Sequence, residues 1–325
     1  MPVVVTGSIA TDHLMTFPGR FTDQFVEGKM ENVSLSFLVD DLVQHRGGAG
    51  ANMAYGLGLL GQGPVLVGAV GNDFADYDAW LSRHGVDTGS VRWSELKHTA
   101  RFVCTTDAAN NQIASFYSGA MSEAALIELA PVASRVGDLD LVIVGPNDPT
   151  AMVQHTQECR QRGYPFLADP SQQLAWADGE MIRELVDGAD LLFTNEYEHA
   201  LLLQKTGWDD AEVLARVGTW VTTQAAKGVR VERAGEPTIE VIAVPETKPV
   251  EPTGGGDALR AGFIAGRAWG LGLERSTQLG SAVATAAVEV IGTQEYDLPR
   301  TSFLERFAEA FGADAADEVA AHLPG

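Results

Sequence analysis

In Glu251-Pro252-Thr253-Gly254-Gly255-Gly256-Asp257-Ala258-Leu259-Arg260-Ala261-Gly262-Phe263, three consecutive glycines run into an aspartate, after which the pattern turns helical. The helical signal lies in Ala258, Ala261, Phe263, Ile264, Ala268 and Trp269. A glycine loop feeding a helix leaves unpaired backbone N–H groups at the positive end of the helix dipole, which suits a phosphate. An aspartate beside such a site repels phosphate, so binding does not explain it. Taking a proton from an attacking hydroxyl does. The combination points to phosphoryl transfer to an alcohol. A glycine-rich turn that merely opens a helix, with Asp257 as its first-turn acid, would account for the same residues, so the rest of the chain has to decide. No Gly-Lys-Ser/Thr follows, so the loop is not of Walker type.

Composition narrows the partners. The chain has 325 residues and a net charge of -22, from 22 basic and 44 acidic side chains. Nucleic-acid polymers and anionic membranes bind through basic surface and are excluded as expected partners. A small anionic substrate is compatible, because backbone amides and Mg²⁺ supply local positive charge. Cys104 and Cys159 lie far apart with no Cys-x-x-Cys spacing, so neither a disulfide framework nor a structural zinc is expected, and a reducing compartment is. With no run of ~18 apolar residues and no basic-then-apolar leader, a soluble cytoplasmic protein is expected.

The chain opens with Val3-Val4-Val5, a buried-strand pattern, followed by small residues up to Asp12. Open α/β sheets present site residues at strand ends in this way, although Asp12 would equally cap a turn. Residues 33–39 alternate apolar and polar, as do residues 99–106 and 112–117, joined by polar residues 107–111. These three segments interrupt the βαβ rhythm and predict a small antiparallel sheet over the site, with a lid of about residues 12–46 and 97–120. Between them, Arg46-Gly47-Gly48-Ala49-Gly50-Ala51-Asn52 opens a helix running to Leu60, followed by a strand over residues 65–70. The glycines permit close approach to a ligand, and Asn52 can hydrogen-bond a hydroxyl. A glycine-rich helix start packed on the sheet is the alternative.

The middle is regular. Strands are predicted at 141–144, 165–168, 191–193 and 220–223, and helices at 149–162, 178–187, 195–205 and 209–217. A hairpin is predicted at 229–233 and 238–244, and helices at 256–270, 274–291 and 299–312. This is an α/β pattern: a mostly parallel central sheet with helices on both faces, in one domain over residues 1–325. Asn195 and Glu198 fit a capping box, or alternatively hold Mg²⁺ waters near nucleotide phosphates. Asp169-Pro170-Ser171-Gln172-Gln173 follows a strand and would read a polar ligand edge or form a surface loop.

Together, residues 47–71 and 252–264 resemble the two signatures of the ribokinase-like (PfkB) carbohydrate kinases, and Asn195 with Glu198 is similar to their Asn-x-x-Glu motif. The likeness spans essentially the whole chain. Within the family, residues 34–41, 101–117 and 169–173 are most similar to bacterial adenosine kinases of the actinobacterial type. That resemblance implies an ATP- and Mg²⁺-dependent adenosine 5′-kinase of purine salvage, with adenosine and ATP as ligands. Asp12, Gly48 and Asn52 would hold ribose hydroxyls. Ser8, Ser36, Gln172 and Gln173 would surround the nucleoside, with Phe102 and Phe116 stacked on its base. Asp257 would be the general base and Gly254, Gly255 and Gly256 the anion hole. Asn195, Thr223, Lys227 and Gly228 would lie near ATP, and Glu198 would act on the metal through water. Apart from the resemblance, residues 33–39 and 101–106 are largely apolar for a sheet with little chain left to cover its outer face, so the lid sheet is expected to pair with its copy in a homodimer.

Two departures bear on these expectations. Glu251 stands where the second signature has Asp, Asn, Ser or Lys. In Thr223-Gln224-Ala225-Ala226-Lys227-Gly228, alanine replaces the first glycine of the nucleotide loop. If that position requires positive φ, Ala225 costs about 1 kcal/mol or somewhat more. A kinase of a free sugar or another nucleoside, and a non-catalytic nucleoside-binding protein, are the competing expectations.

Overall fold

The computed structural model describes residues 2–25, 35–247 and 249–325. Among these, an eight-stranded sheet runs from edge to edge as Ile239–Val241, Val229–Glu232, Thr219–Thr223, Leu191–Asn195, Phe166–Ala168, Leu141–Val144, Val3–Thr6 and Val65–Val67. The last six strands pair in parallel, and the first two add an antiparallel hairpin. Both faces are covered, as parallel sheets require. Val3, Val5, Ile143, Leu167, Phe193 and Val221 face helices Ala49–Leu59, Gly255–Ala268, Leu273–Val288, Arg300–Phe311 and Ala313–Ala320. Val4, Val142, Val144, Phe166, Leu192 and Trp220 face helices Leu129–Val136, Pro149–Arg162, Gly179–Val186 and Glu196–Thr206.

Local chemistry explains where these elements start and stop. In helix Pro149–Arg162, the Asp148 side chain accepts from the N–H groups of Thr150 and Ala151, and Pro149 occupies the first turn, where no N–H is needed. Ala151, Met152, His155, Thr156 and Cys159 form its buried stripe, and Gly163 ends it in the left-handed region at φ 69°. Its bounds are those predicted. The predicted strand over 65–70 divides at Gly68: Ala69–Val70 leaves the main sheet and pairs with Arg92–Trp93.

The lid is a four-stranded sheet ordered Asp41–Gly47, Ala10–Phe17, Ala100–Asp107, Gln112–Tyr117, with two antiparallel pairings and one parallel. The strand expected at 33–39 is not present in its described part. Residues 35–39 are irregular, while Val33 and Ser34, within 26–34, lie outside the described residues. The alternation is nevertheless expressed in packing. Phe37 joins Phe17 and Phe21 at ring-centroid distances of 4.8 and 5.3 Å, and Leu38 is 88% exposed. One edge of Ala10–Phe17 can pair with only one segment, and Asp41–Gly47 takes it. Ala10–Phe17 was itself missed as a strand. Among the described residues, no helix is long and apolar enough to cross a membrane, and both cysteines are free and buried.

Candidate functional site

Because six strands run the same way, their carboxyl ends open on one side of the sheet, where open α/β sheets build their sites. Ser8 follows the first strand, Asp169 and Gln172 follow Phe166–Ala168, and Asn195 ends Leu191–Asn195. Two helices begin beside them, each capped by a glycine that no other residue could replace without strain. Gly48 has φ 93°, and a Cβ there would meet the Ser8 carbonyl oxygen at 2.6 Å; Gly254 has φ 83°, and a Cβ there would meet Thr293 Cγ2 at 2.8 Å.

Two cavities meet at the second of these turns. The first, of about 580 Å³, is lined by Ser8, Asp12, Gly48, Asn52, Phe102, Phe116, Gln172, Gln173, Gly254 and Asp257. The second, of about 770 Å³, is lined by Asn195, Thr223, Ala225, Gly228, Gly255 and Gly256. The turn from Gly254 to Asp257 is thus a partition: Asp257 looks into the first space, and the glycines at the helix start border the second. First-turn N–H groups have no acceptor within their helix; that of Gly255 donates to the Pro252 carbonyl at 3.3 Å, which leaves those of Gly256 and Asp257 to meet an anion.

The lid supplies a row of side chains to the first cavity. His45, Asp12, Phe102 and Phe116 are neighbours in register across its four strands. Residues directly opposite each other project from the same face of a sheet, and all four line the cavity. The strand periodicity expected for Phe102 and Phe116 therefore places both rings over one space. Met121, His45 and Trp176 also line this cavity and were not anticipated.

Electrostatics separate the carboxylates. Burial pushes the Asp12 carboxyl up to about 6, against the opposing pull of His45 and with a smaller push from Glu251. Burial likewise raises Asp257 above the ordinary carboxylate range, opposed by Arg260 and by the Asn52 amide, which donates to Asp257 Oδ2 at 2.9 Å. A carboxylate raised toward neutrality is suited to proton abstraction. Arg260 pairs with Asp169 at 2.6 Å, with side-chain exposures of 8% and 1%. Burial drives Asp169 up to about 7, Arg260 resists, and Glu198 and Asp257 add to the rise. The pair ties helix Gly255–Ala268, which carries Asp257, to the loop carrying Gln172 and Gln173. Neither role was read from the sequence; an arginine inside the otherwise buried run 258–266 was the available signal, since a buried charge needs a partner.

Two expected residues, Ser36 and Lys227, sit differently. Ser36 is exposed on the irregular stretch and does not line the first cavity. Lys227 does not line the second: its Nζ pairs with Glu196 Oε1 at 2.9 Å, and its side chain is 72% exposed. The short turn Ala225–Lys227 carries that side chain outward. Asn195 and Glu198 form the capping box, Asn195 Oδ1 accepting from the Glu198 N–H and Glu198 Oε2 accepting from the Asn195 N–H. That leaves Glu198 Oε1 for another partner. Among the described residues, no cluster of three or more His, Cys, Asp or Glu could hold a metal by itself. The one carboxylate oxygen left over, Glu198 Oε1, fits an ion held mostly through water.

Ala225 adopts φ 49°, so the condition under which alanine at this position carries a left-handed penalty is met. Ala225→Gly is expected to raise unfolding free energy by about 0.5–1 kcal/mol, the left-handed penalty less the entropy of glycine. Urea denaturation of both proteins checks this, and a lower midpoint for the glycine variant would contradict it.

The model of the pfkB family carbohydrate kinases matches residues 6–300. A nucleoside kinase of Methanothermobacter thermautotrophicus is 30% identical, over 82% of this chain and 85% of the relative. The structure of Burkholderia thailandensis nucleoside kinase in complex with inosine superposes with a TM-score of 0.82 and 34% identity, covering 95% of this chain and 98% of that one. Arabidopsis thaliana ribokinase complexed with ribose and ATP has a TM-score of 0.73 at 20% identity, over 94% and 98% of the two chains, a likeness of fold.

Proposed function

This chain belongs to the pfkB family of carbohydrate kinases, and on that premise we propose that it transfers the γ-phosphoryl group of ATP to the 5′-hydroxyl of adenosine. The observation that carries the proposal is the partition itself, with Asp257 on one side and the glycine-capped helix start on the other. Nucleoside in the first cavity and ATP in the second would face each other across it. Asp257 takes the hydroxyl proton as the oxygen attacks, and the first-turn N–H groups stabilise charge on the transferred group. The lid holds the reactants in line and keeps water out, so that ATP is not hydrolysed. Mg²⁺, held by phosphate oxygens and through water by Glu198, would neutralise phosphate charge. ATP as donor agrees with a cytoplasmic location.

Two aromatic rings over the first cavity favour a ligand with a flat base over a free sugar. The inosine bound by the Burkholderia relative favours a second reading, a wider range of purine nucleosides. The test is turnover with ATP and Mg²⁺ over adenosine, inosine, guanosine, ribose and fructose 6-phosphate. Adenosine is expected to have the highest kcat/KM, and a higher value for ribose would replace this reading with a sugar kinase.

Asp12 adds a pH signature. When ionised it would accept charge-assisted hydrogen bonds from ribose hydroxyls, stronger than those its neutral form can accept, and its carboxyl is raised to about 6. Nucleoside KM is therefore expected to rise as pH falls through about 6 and to be flat above it. Asp12→Asn should raise KM at pH 8 and remove the slope. A KM independent of pH between 5 and 8 in the unsubstituted enzyme would contradict that role.

The homodimer belongs to the same proposal. The lid face turned away from the cavity carries Met15, Leu42, Val103, Ile113 and Tyr117, and Leu42, Ile113 and Tyr117 are 59%, 46% and 46% exposed. Apolar sheet faces and open edges of this kind are normally covered. Light scattering at micromolar concentration should give twice the chain mass, and an active monomer would rule the dimer out.

A further inference from the structure

Behind Asp257 runs a buried chain of hydrogen bonds built from four distant segments. Asn52, on helix Ala49–Leu59, donates from Nδ2 to Asp257 Oδ2 at 2.9 Å. Its carbonyl Oδ1 accepts from Gln294 Nε2 at 2.9 Å and lies 2.9 Å from the Thr293 hydroxyl, whose single proton is shared with the Arg46 carbonyl at 3.0 Å. Gln294 Nε2 also donates to Tyr77 Oη at 2.5 Å, and Tyr77 donates its own proton to the Gly47 carbonyl at 2.9 Å. Asn52, Tyr77 and Gln294 are 5%, 4% and 1% exposed, so water does not substitute for these partners.

The direction of every bond follows from the two ends. The Gly47 carbonyl can only accept, so Tyr77 gives it its one proton and offers its lone pair to Gln294. An ionised Asp257 can also only accept, so the Asn52 NH₂ must face it and the Asn52 carbonyl must face away. Gln294 stands between two acceptors and satisfies both with the two N–H bonds of one amide. Gln294 Oε1 is left buried without a partner, an arrangement that makes sense if the amide is oriented for what its nitrogen does.

We propose that Gln294 is a positioning residue for the reaction: by donating to Asn52 and Tyr77 it fixes the Asn52 amide with its NH₂ toward Asp257 and so keeps that carboxylate ready to accept a proton. This rests on Asp257 being the general base. The second N–H of the Asn52 amide remains free to meet a ligand hydroxyl in the same cavity.

Gln294→Glu is the discriminating change, because it preserves size and removes both donors. An accepting carboxylate at 294 draws the Asn52 NH₂ toward itself and turns the Asn52 carbonyl to Asp257, which then holds that contact only when protonated. The full-length chain carrying Gln294→Glu, Gln294→Met or Asp257→Asn is compared with the unsubstituted enzyme for kcat, KM and the pH profile of kcat, with circular dichroism to verify folding. The groups facing Asp257 are Arg260 on its own helix, Glu198, Asp169, Tyr77 and Tyr296, and the Gln294 variants leave all of them in place.

The expected result is a fall in kcat of about 100-fold for Gln294→Glu, the scale of a misplaced catalytic group, with the acid limb displaced to higher pH. Gln294→Met should lose less, since it removes the donors without pulling the amide round. A purely packing role predicts the opposite order, because glutamate is the closer match in shape. Gln294→Glu with kcat within about threefold and an unmoved pH profile would overturn the inference. Should that variant not fold, Tyr77→Phe takes its place: a lowered kcat with the same alkaline displacement supports the chain, and an unchanged profile overturns it. Asp257→Asn separates the two levels. If it keeps its turnover, the base assignment itself fails; if it is inactive while Gln294→Glu behaves as the unsubstituted enzyme, only the role of Gln294 fails.

Discussion

Replacing Asp257 by asparagine is expected to lower kcat by about 10²–10⁴, the usual contribution of a positioned general base, while nucleoside binding persists. The substitution keeps the side chain's shape, and an amide oxygen there can still face the Asn52 NH₂, which now donates to Asp257 Oδ2. What it removes is proton affinity. Asp257 is raised by burial and only partly restrained by Arg260 and Asn52, so its carboxyl takes up a proton more readily than an ordinary carboxylate. The glycine turn and helix start remain, so ATP affinity should change little. The checks are initial rates with adenosine and ATP, beside nucleoside affinity from calorimetry. Near-normal turnover would remove the carboxylate from the mechanism, and lost binding with kcat unchanged would make it a ligand instead.

Loss of either lid aromatic is expected to discriminate between substrates. Phe102 and Phe116 are directly opposed on adjacent strands, and both line the first cavity. Phe116 is 53% exposed, so its ring is not held as core and is available to a ligand. Stacking of a base on an aromatic ring contributes about 1–3 kcal/mol, which corresponds to a loss of roughly 5–150-fold in adenosine kcat/KM. Ribose has no base, so any ribose turnover by Phe102→Ala or Phe116→Ala should be nearly unchanged. Parallel assays on both substrates decide the matter. Equal losses on adenosine and ribose would mean the rings only pack the sheet.

Local signals carried much of this architecture into the sequence. Asp148, Pro149 and Gly163 mark the ends of helix Pro149–Arg162 through caps that need only near neighbours. The apolar runs of the parallel strands are legible for the same reason. Strand Ala10–Phe17 was not, because its Asp12 faces the first cavity and leaves no clean apolar alternation. Residues 35–39 show the converse: their alternation records burial of Phe37 against Phe17 and Phe21, and a side-chain pattern cannot say which segment wins a strand's hydrogen bonds. At the site, the glycine turns and Asp257 were legible because their chemistry lies within one short stretch. The pairing of Arg260 with Asp169 and the contacts of Gln294 with Asn52 join residues 91 and 242 positions apart. Nothing near either residue names its partner, and only the fold brings them together.

The most direct measurement follows the transferred phosphoryl group. The purified chain is incubated with adenosine, Mg²⁺ and ATP labelled at the γ-phosphate, and products are separated and identified by mass spectrometry and phosphorus NMR. One labelled adenosine 5′-monophosphate should form for each ADP released, with no labelled inorganic phosphate above background. Label appearing only in inorganic phosphate, or in no product while adenosine still binds, would contradict the assignment of this chain as a kinase of the nucleoside 5′-hydroxyl.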